Sequence, residues 1–156
     1  PISQIHLSPK LIGRLLNTYE NTIVGLKDSS GDWSNTETIL REYPTLATFC
    51  GSEVFLLETL RRGGAGSITA TANVNVAAIR KAFERWQKGD ANKLQKEINS
   101  VRKAFEEYPL IPSLKAVTAK FYGSSDWCRV SPPLRDLGVT DTEELIKSLT
   151  NLGFKM

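Results

Sequence analysis

Lys27 is the residue best placed to do chemistry. It directly follows the apolar run Thr22-Ile23-Val24-Gly25-Leu26, which is short and β-branched, as in a strand buried on both faces of a parallel sheet. The lysine Cα therefore falls at the C-terminal end of such a strand, the edge where α/β architectures gather their catalytic groups. An ammonium whose stem stands in an apolar interior is disfavoured by desolvation. The neutral amine is the nucleophile that attacks a carbonyl to form an imine. On periodicity alone, a solvated lysine closing a strand is the plainer reading.

The residues around it divide between chemistry and scaffolding. Asp28-Ser29-Ser30-Gly31-Asp32 supplies hydroxyls and carboxylates beside the amine. These groups can orient a substrate or relay protons, but a turn followed by a helix cap uses the same residue types and is favoured, with Gly31 taking a conformation other residues avoid. Gly63-Gly64-Ala65-Gly66 is not a phosphate cradle, because it follows a helix and precedes a strand. A phosphate-binding glycine loop has the reverse order; this one reads as helix termination with close packing. Gly51 follows Cys50, and Ile68 opens the run Ile68-Thr69-Ala70-Thr71-Ala72-Asn73; both fall at strand ends able to line a pocket shared with Lys27, where small residues allow close approach. Cys50 reads as a buried small hydrophobe, since no basic partner accompanies it. His6, Trp33 and Trp127 gain no function from spacing.

The elements that must position Lys27 alternate. Ser8-Pro9 caps a helix with Leu11, Ile12, Leu15 and Leu16 on one stripe. The strand at 22–26 follows, then a helix opened by a capping box of Ser34 and Glu37 and stopped before Pro44. Leu46 to Cys50 is a second strand, Val54, Leu56, Leu57 and Leu60 a helix, and Ser67 to Ala70 a third strand. Strands alternating with helices imply a parallel sheet. The remainder is helical: Val76, Ile79, Phe83 and Trp86 before Gly89, then Leu94, Ile98, Val101, Phe105 and Tyr108 closed by Pro109 and Pro112. A shorter helix capped by Ser113 ends at Gly123, and a capping box of Thr140 and Glu143 opens the last one.

Bulk properties exclude several classes. The net charge of +3 and the mixed signs of Arg80, Lys81, Glu84, Arg85 and Lys88 describe a solvated helix, not a nucleic-acid footprint. No apolar stretch reaches the roughly 20 residues that span a bilayer. Two distant cysteines make no disulfide framework, so a cytoplasmic location is the expectation, and one histidine leaves no His-rich metal site and no redundant Ser/His triad. Three parallel strands cannot close a barrel, and the amphipathic helices call for more sheet. With Pro1 first and the only Met last, the expectation is a fragment lacking N-terminal strands.

Val24-Gly25-Leu26-Lys27-Asp28-Ser29-Ser30-Gly31-Asp32 resembles the Schiff-base lysine motif of the dihydrodipicolinate synthase and N-acetylneuraminate lyase family. Phe49-Cys50-Gly51 is similar to that family's next strand end, and Gly63 to Ile68 with Thr71-Ala72-Asn73 to its final strand. Ile111-Pro112 and Pro132-Pro133-Leu134 echo its C-terminal helices. The resemblance covers the chain in order and reverses the choice at Lys27. It implies an α/β fold, the C-terminal part of a (β/α)8 barrel, with residues 1–88 the last βα units and 89–156 a C-terminal helical extension of the same domain.

It further implies a lyase or aldolase forming a pyruvate-type imine on Lys27, with Gly51 and Ile68 against a small 2-oxo acid substrate. No cofactor or metal is implied; a homotetramer is, together with the missing N-terminal part of the barrel as partner. The family's tyrosine would fall just before Pro1 and its threonine-containing loop further upstream. Ile2 stands where the lysine-biosynthesis enzymes tend to carry an arginine, which favours a catabolic aldolase or dehydratase. A non-catalytic relative remains the main alternative. A Rossmann-like nucleotide-binding module is opposed by the helix-glycine-strand order.

Overall fold

The structure, a computed structural model, describes residues 5–156; Pro1 and Ile2 lie outside the described residues. Contacts group the chain into two compact units, the first ending at Thr69 and the second running from Ala70 to Met156.

The first unit contains a parallel sheet of β1 (Gly25–Asp28), β2 (Ala47–Cys50) and β3 (Gly66–Ser67), in that order, with helices α1 (Pro9–Thr18), α2 (Trp33–Glu42) and α3 (Leu56–Arg61). The α/β class and the three parallel strands are as expected. The register places Lys27 beside Phe49 and Asp28 beside Cys50, then Phe49 beside Gly66 and Cys50 beside Ser67. Side chains alternate across a strand, so Asp28, Thr48 and Cys50 share one face and are buried. Lys27, exposed, and Phe49, half-buried, share the other.

α1 starts where Ser8 Oγ accepts from Leu11 N at 3.3 Å and Pro9 takes the first turn. Of its apolar stripe only Ile12 is buried; it packs with Ile39 and Leu46, joined by Leu16, Ile23, Leu26 and Tyr43. The Tyr43 hydroxyl donates to the Pro9 carbonyl at 2.6 Å, fastening the start of α1 to the end of α2.

The second unit holds α4 (Ala72–Glu84), α5 (Ala91–Glu106), α6 (Leu110–Tyr122) and α7 (Val139–Asn151). Val101, Phe105, Leu114, Val117, Leu145 and Leu149 form its core with Val74 and Ala104. Each fully buried side chain of this kind contributes about 1.5–3 kcal/mol. Phe154 closes edge-on over Phe105 with ring centroids 6.5 Å apart.

Several boundaries differ from the sequence pattern. The first strand lies three residues later than 22–26, because Thr22 is in a turn and pairing starts only where the Val24 carbonyl accepts from Ala47 N. Lys27 is consequently inside the strand, one residue from its end. The third strand ends at Ser67 instead of Ala70, although Ile68 N still donates to the Cys50 carbonyl at 3.0 Å.

Asp32, not Ser34, caps α2: its carboxylate accepts from Ser34 N at 2.9 Å and from Ser34 Oγ at 2.8 Å, and a carboxylate two residues earlier outcompetes the hydroxyl. α7 starts at Val139 from Gly138, two residues before the expected Thr140 cap, without a side-chain cap. Pro109 and Pro112 open α6 instead of closing α5, since proline is tolerated in a first helical turn. In α4 the backbone breaks helical geometry at Asn75 (φ −127°, ψ 26°), which rotates the later residues. Val74, Ile79 and Ala82 are buried there, while Val76 is 60% and Phe83 42% exposed.

Candidate active site

The C-terminal edge of the sheet is built from the exits of the three strands, and a different device fixes each of the first two. At β1 the device is Asp28. Its Oδ2 accepts from Thr36 Oγ1 of α2 at 2.5 Å and from Ser30 Oγ at 3.0 Å, and its Oδ1 accepts from Ser30 N at 2.9 Å. Burial raises the Asp28 pKa more than any single bond lowers it. The bonds from Thr36, Ser30 and Asn35 together outweigh that burial, and the carboxyl lies below its ordinary value. The chain then turns through Gly31 at φ +73°, a left-handed conformation suited to glycine, into the Asp32 cap. The segment 28–32 is thus the turn and cap favoured from its residue types.

At β2 the device is contact. A Cβ on Gly51 would collide with the Asp28 carbonyl oxygen and stand 3.1 Å from Ser29 Cα. Glycine is needed there for the approach of two strand ends, a requirement separate from any ligand. Cys50, with no exposed surface, donates its thiol to the Gly66 carbonyl at 3.5 Å, and burial pushes its pKa up. It is the inert small hydrophobe expected. At β3 the glycine loop ends α3 by wrapping back on it: Gly63 N donates to Leu60 O and Gly64 N to Thr59 O at 2.8 Å, with Gly63 at φ +83°. The loop enters the strand from its start, away from the exits.

Lys27, inside β1, and Gly51 and Ile68, the first residues past β2 and β3, therefore meet one sheet edge. Lys27 and Ile68 share the face opposite Asp28, because Lys27 pairs with Phe49, Phe49 with Gly66, and Ile68 lies two residues past Gly66. That face is uncovered among the described residues: Lys27 is exposed and Ile68 is 48% exposed. Among the described residues no helix or strand packs over that face, so they supply no apolar interior around the lysine stem. A cavity of about 580 Å3 opens along β1, walled by Leu26, Lys27, Asp28, Ser29 and Ser30 and by the segment Ile5 to Ser8. His6 stands in its wall, a place that spacing gave no sign of. Gly51 and Ile68 do not line it.

The model of the dihydrodipicolinate synthetase family matches residues 1–152. The chain belongs to that family. Among curated relatives, a 4-hydroxy-tetrahydrodipicolinate synthase of Methanopyrus kandleri is 33% identical over 94% of this chain and 49% of its own length. An uncharacterized DapA-like lyase of Chloroflexus aurantiacus is 32% identical over 74% of the chain and 39% of its own. The crystal structure of dihydrodipicolinate synthase from Agrobacterium tumefaciens superposes with a TM-score of 0.83 at 29% identity, covering 97% of this chain and 50% of that one. This member of the dihydrodipicolinate synthetase family thus spans about half the length, or less, of the relatives it matches.

Proposed function

We propose that this chain is the C-terminal part of a (β/α)8 barrel whose full-length protein is a lyase or aldolase, working through an imine between Lys27 and pyruvate or a related 2-oxo acid. The observation that carries this reading is the position of Lys27: next to last in a parallel strand, facing away from the helices, on the edge where the exits of β1, β2 and β3 converge. On this reading residues 1–88 supply the last βα units and residues 89–156 the helical extension. The uncovered face becomes the barrel interior once the remaining strands pair with β1, an edge strand among the described residues. Closure would also take water away from the amine and from the imine it forms.

The chemistry follows from that amine. Lys27 Nζ attacks the 2-oxo carbon, the oxo oxygen takes up a proton, and the resulting carbinolamine loses water to give the protonated imine. The cationic nitrogen then accepts the electron pair released when a bond at the neighbouring carbon breaks, giving an enamine that a second carbonyl compound can recapture. Gly51 and Ile68 would bound the 2-oxo acid on the side of β2 and β3. Assembly as a tetramer is part of the same proposal.

Borohydride reduces an imine to a stable secondary amine, which makes the test direct. Pyruvate plus borohydride should label the full-length protein at Lys27, found by mass spectrometry. Lys27→Ala should abolish labelling and turnover, and Lys27→Arg should do the same because guanidinium stays protonated. A label on Lys115, Lys120 or another lysine would overturn the assignment, and no adduct at all would make the protein a non-catalytic member of its family.

A further inference from the structure

The covered face of the sheet carries a second buried polar pair, which the chemistry of Lys27 leaves unused. Glu53 begins the 3-10 turn Glu53–Phe55 just after β2 and has no exposed surface. Its Oε2 accepts a hydrogen bond from Thr69 Oγ1 at 2.5 Å, and Thr69 is 8% exposed. A carboxyl group is costly to bury and persists inside only where it is bonded.

Its location says what the bond does. The ladder between β2 and β3 ends with Ile68 N donating to the Cys50 carbonyl. Past that point the two chains part, and the Glu53–Thr69 bond joins them one residue beyond the last backbone tie. By alternation, Thr69 points to the covered face and Ile68 to the face of Lys27. Glu53 therefore meets Thr69 on the side of the sheet opposite Lys27.

We propose that Glu53 and Thr69 are positioning residues: the pair sets where the Ile68 and Gly51 backbones stand relative to Lys27, and so how tightly the 2-oxo acid is held before the imine forms. This rests on the reading of Lys27 given above.

The test uses the full-length protein, pyruvate as ligand and borohydride trapping as readout. Unsubstituted protein comes first: a label on Lys27 upholds the lysine reading, and its absence removes that reading and the positioning proposal together. With the label in hand, Thr69→Val and Glu53→Gln should raise the half-saturating pyruvate concentration about tenfold, the scale of one lost buried hydrogen bond. The plateau of labelled Lys27 should not change. Thr69→Ser, which keeps the hydroxyl, should restore the original half-saturation.

A purely structural pair would behave differently, lowering melting temperature and plateau while leaving half-saturation where it was. Unchanged half-saturation in folded Thr69→Val, or Thr69→Ser as impaired as Thr69→Val, would overturn the proposal. If neither Thr69→Val nor Glu53→Gln folds, Glu53→Asp carries the test, since it keeps the carboxyl but withdraws it by one methylene. Raised half-saturation there supports the pair, and no change refutes it.

Discussion

Replacing Asp28 should unfasten the end of β1 from α2. The carboxylate accepts three bonds between 2.5 and 3.0 Å, two from Ser30 and one from Thr36. Bonds to a charged group are each about 1.5–3 kcal/mol net. The Ser30 groups reach water once the carboxylate goes, so little of their share is lost. Thr36, at 2% exposed, cannot rehydrate. Relief of the desolvated charge opposes these losses, and the sum for Asp28→Ala is about 2–4 kcal/mol. Asp28→Asn keeps one acceptor oxygen and should cost about half as much.

The assay is thermal unfolding of the full-length protein, in which Asp28→Ala should melt about 5–15 °C lower. The pH dependence gives a second reading. The folded pKa of Asp28 lies below its ordinary value, so its contribution is present above the unfolded pKa and is lost as pH falls through the folded one. The gap between the unsubstituted protein and Asp28→Asn should therefore be widest near neutrality and narrow below about pH 4. An Asp28→Ala melt within about 1 °C of the unsubstituted protein would refute the reasoning, as would a gap that does not change with acidification.

Gly51→Ala should destabilise the full-length protein by about 1–3 kcal/mol, because the added Cβ meets the Asp28 carbonyl oxygen; an unshifted urea midpoint would contradict the close approach. Iodoacetamide under native conditions should label half-buried Cys128 well before Cys50, which is buried with a raised pKa, and equal labelling would count against that burial. The 156-residue chain by itself should melt in a concentration-dependent way, since among the described residues β1 is an edge strand and no element covers its open face; a cooperative, concentration-independent melt would oppose this.

The elements were legible where apolar spacing was repeated or where a punctuating residue had one structural use. Leu94, Ile98, Val101 and Phe105 fall on the buried stripe of α5, and Gly123 closes α6 at φ +65°. Spacing failed where a local polar group competed. Asp32 displaced Ser34 as a cap, and Asn75 turned Val76 and Phe83 outward. Strand ends were misplaced by up to three residues because an apolar run does not say where its partner begins. At the candidate site Lys27, Gly51 and Ile68 were identified largely from the family resemblance. The Glu53–Thr69 bond gave no signal, as it joins residues 16 apart that carry no pattern.

The two faces of the sheet separate what holds it from what it presents. On the covered face, Asp28, Thr48, Cys50, Glu53 and Thr69 are all buried polar or polarisable groups, and Asp28, Cys50 and Thr69 bond across to another element or strand. An apolar strand of four residues has little side-chain area with which to fix its own end. Directional bonds at the exits can do so, since they stop a strand from sliding along its neighbour. The open face then needs no such groups of its own, and it carries Lys27, Phe49 and Ile68. A side chain placed there takes its position from the backbone of β1. Lys27 is thereby ordered through its neighbour: the constraint is imposed one residue along, at Asp28, and on the opposite side of the sheet.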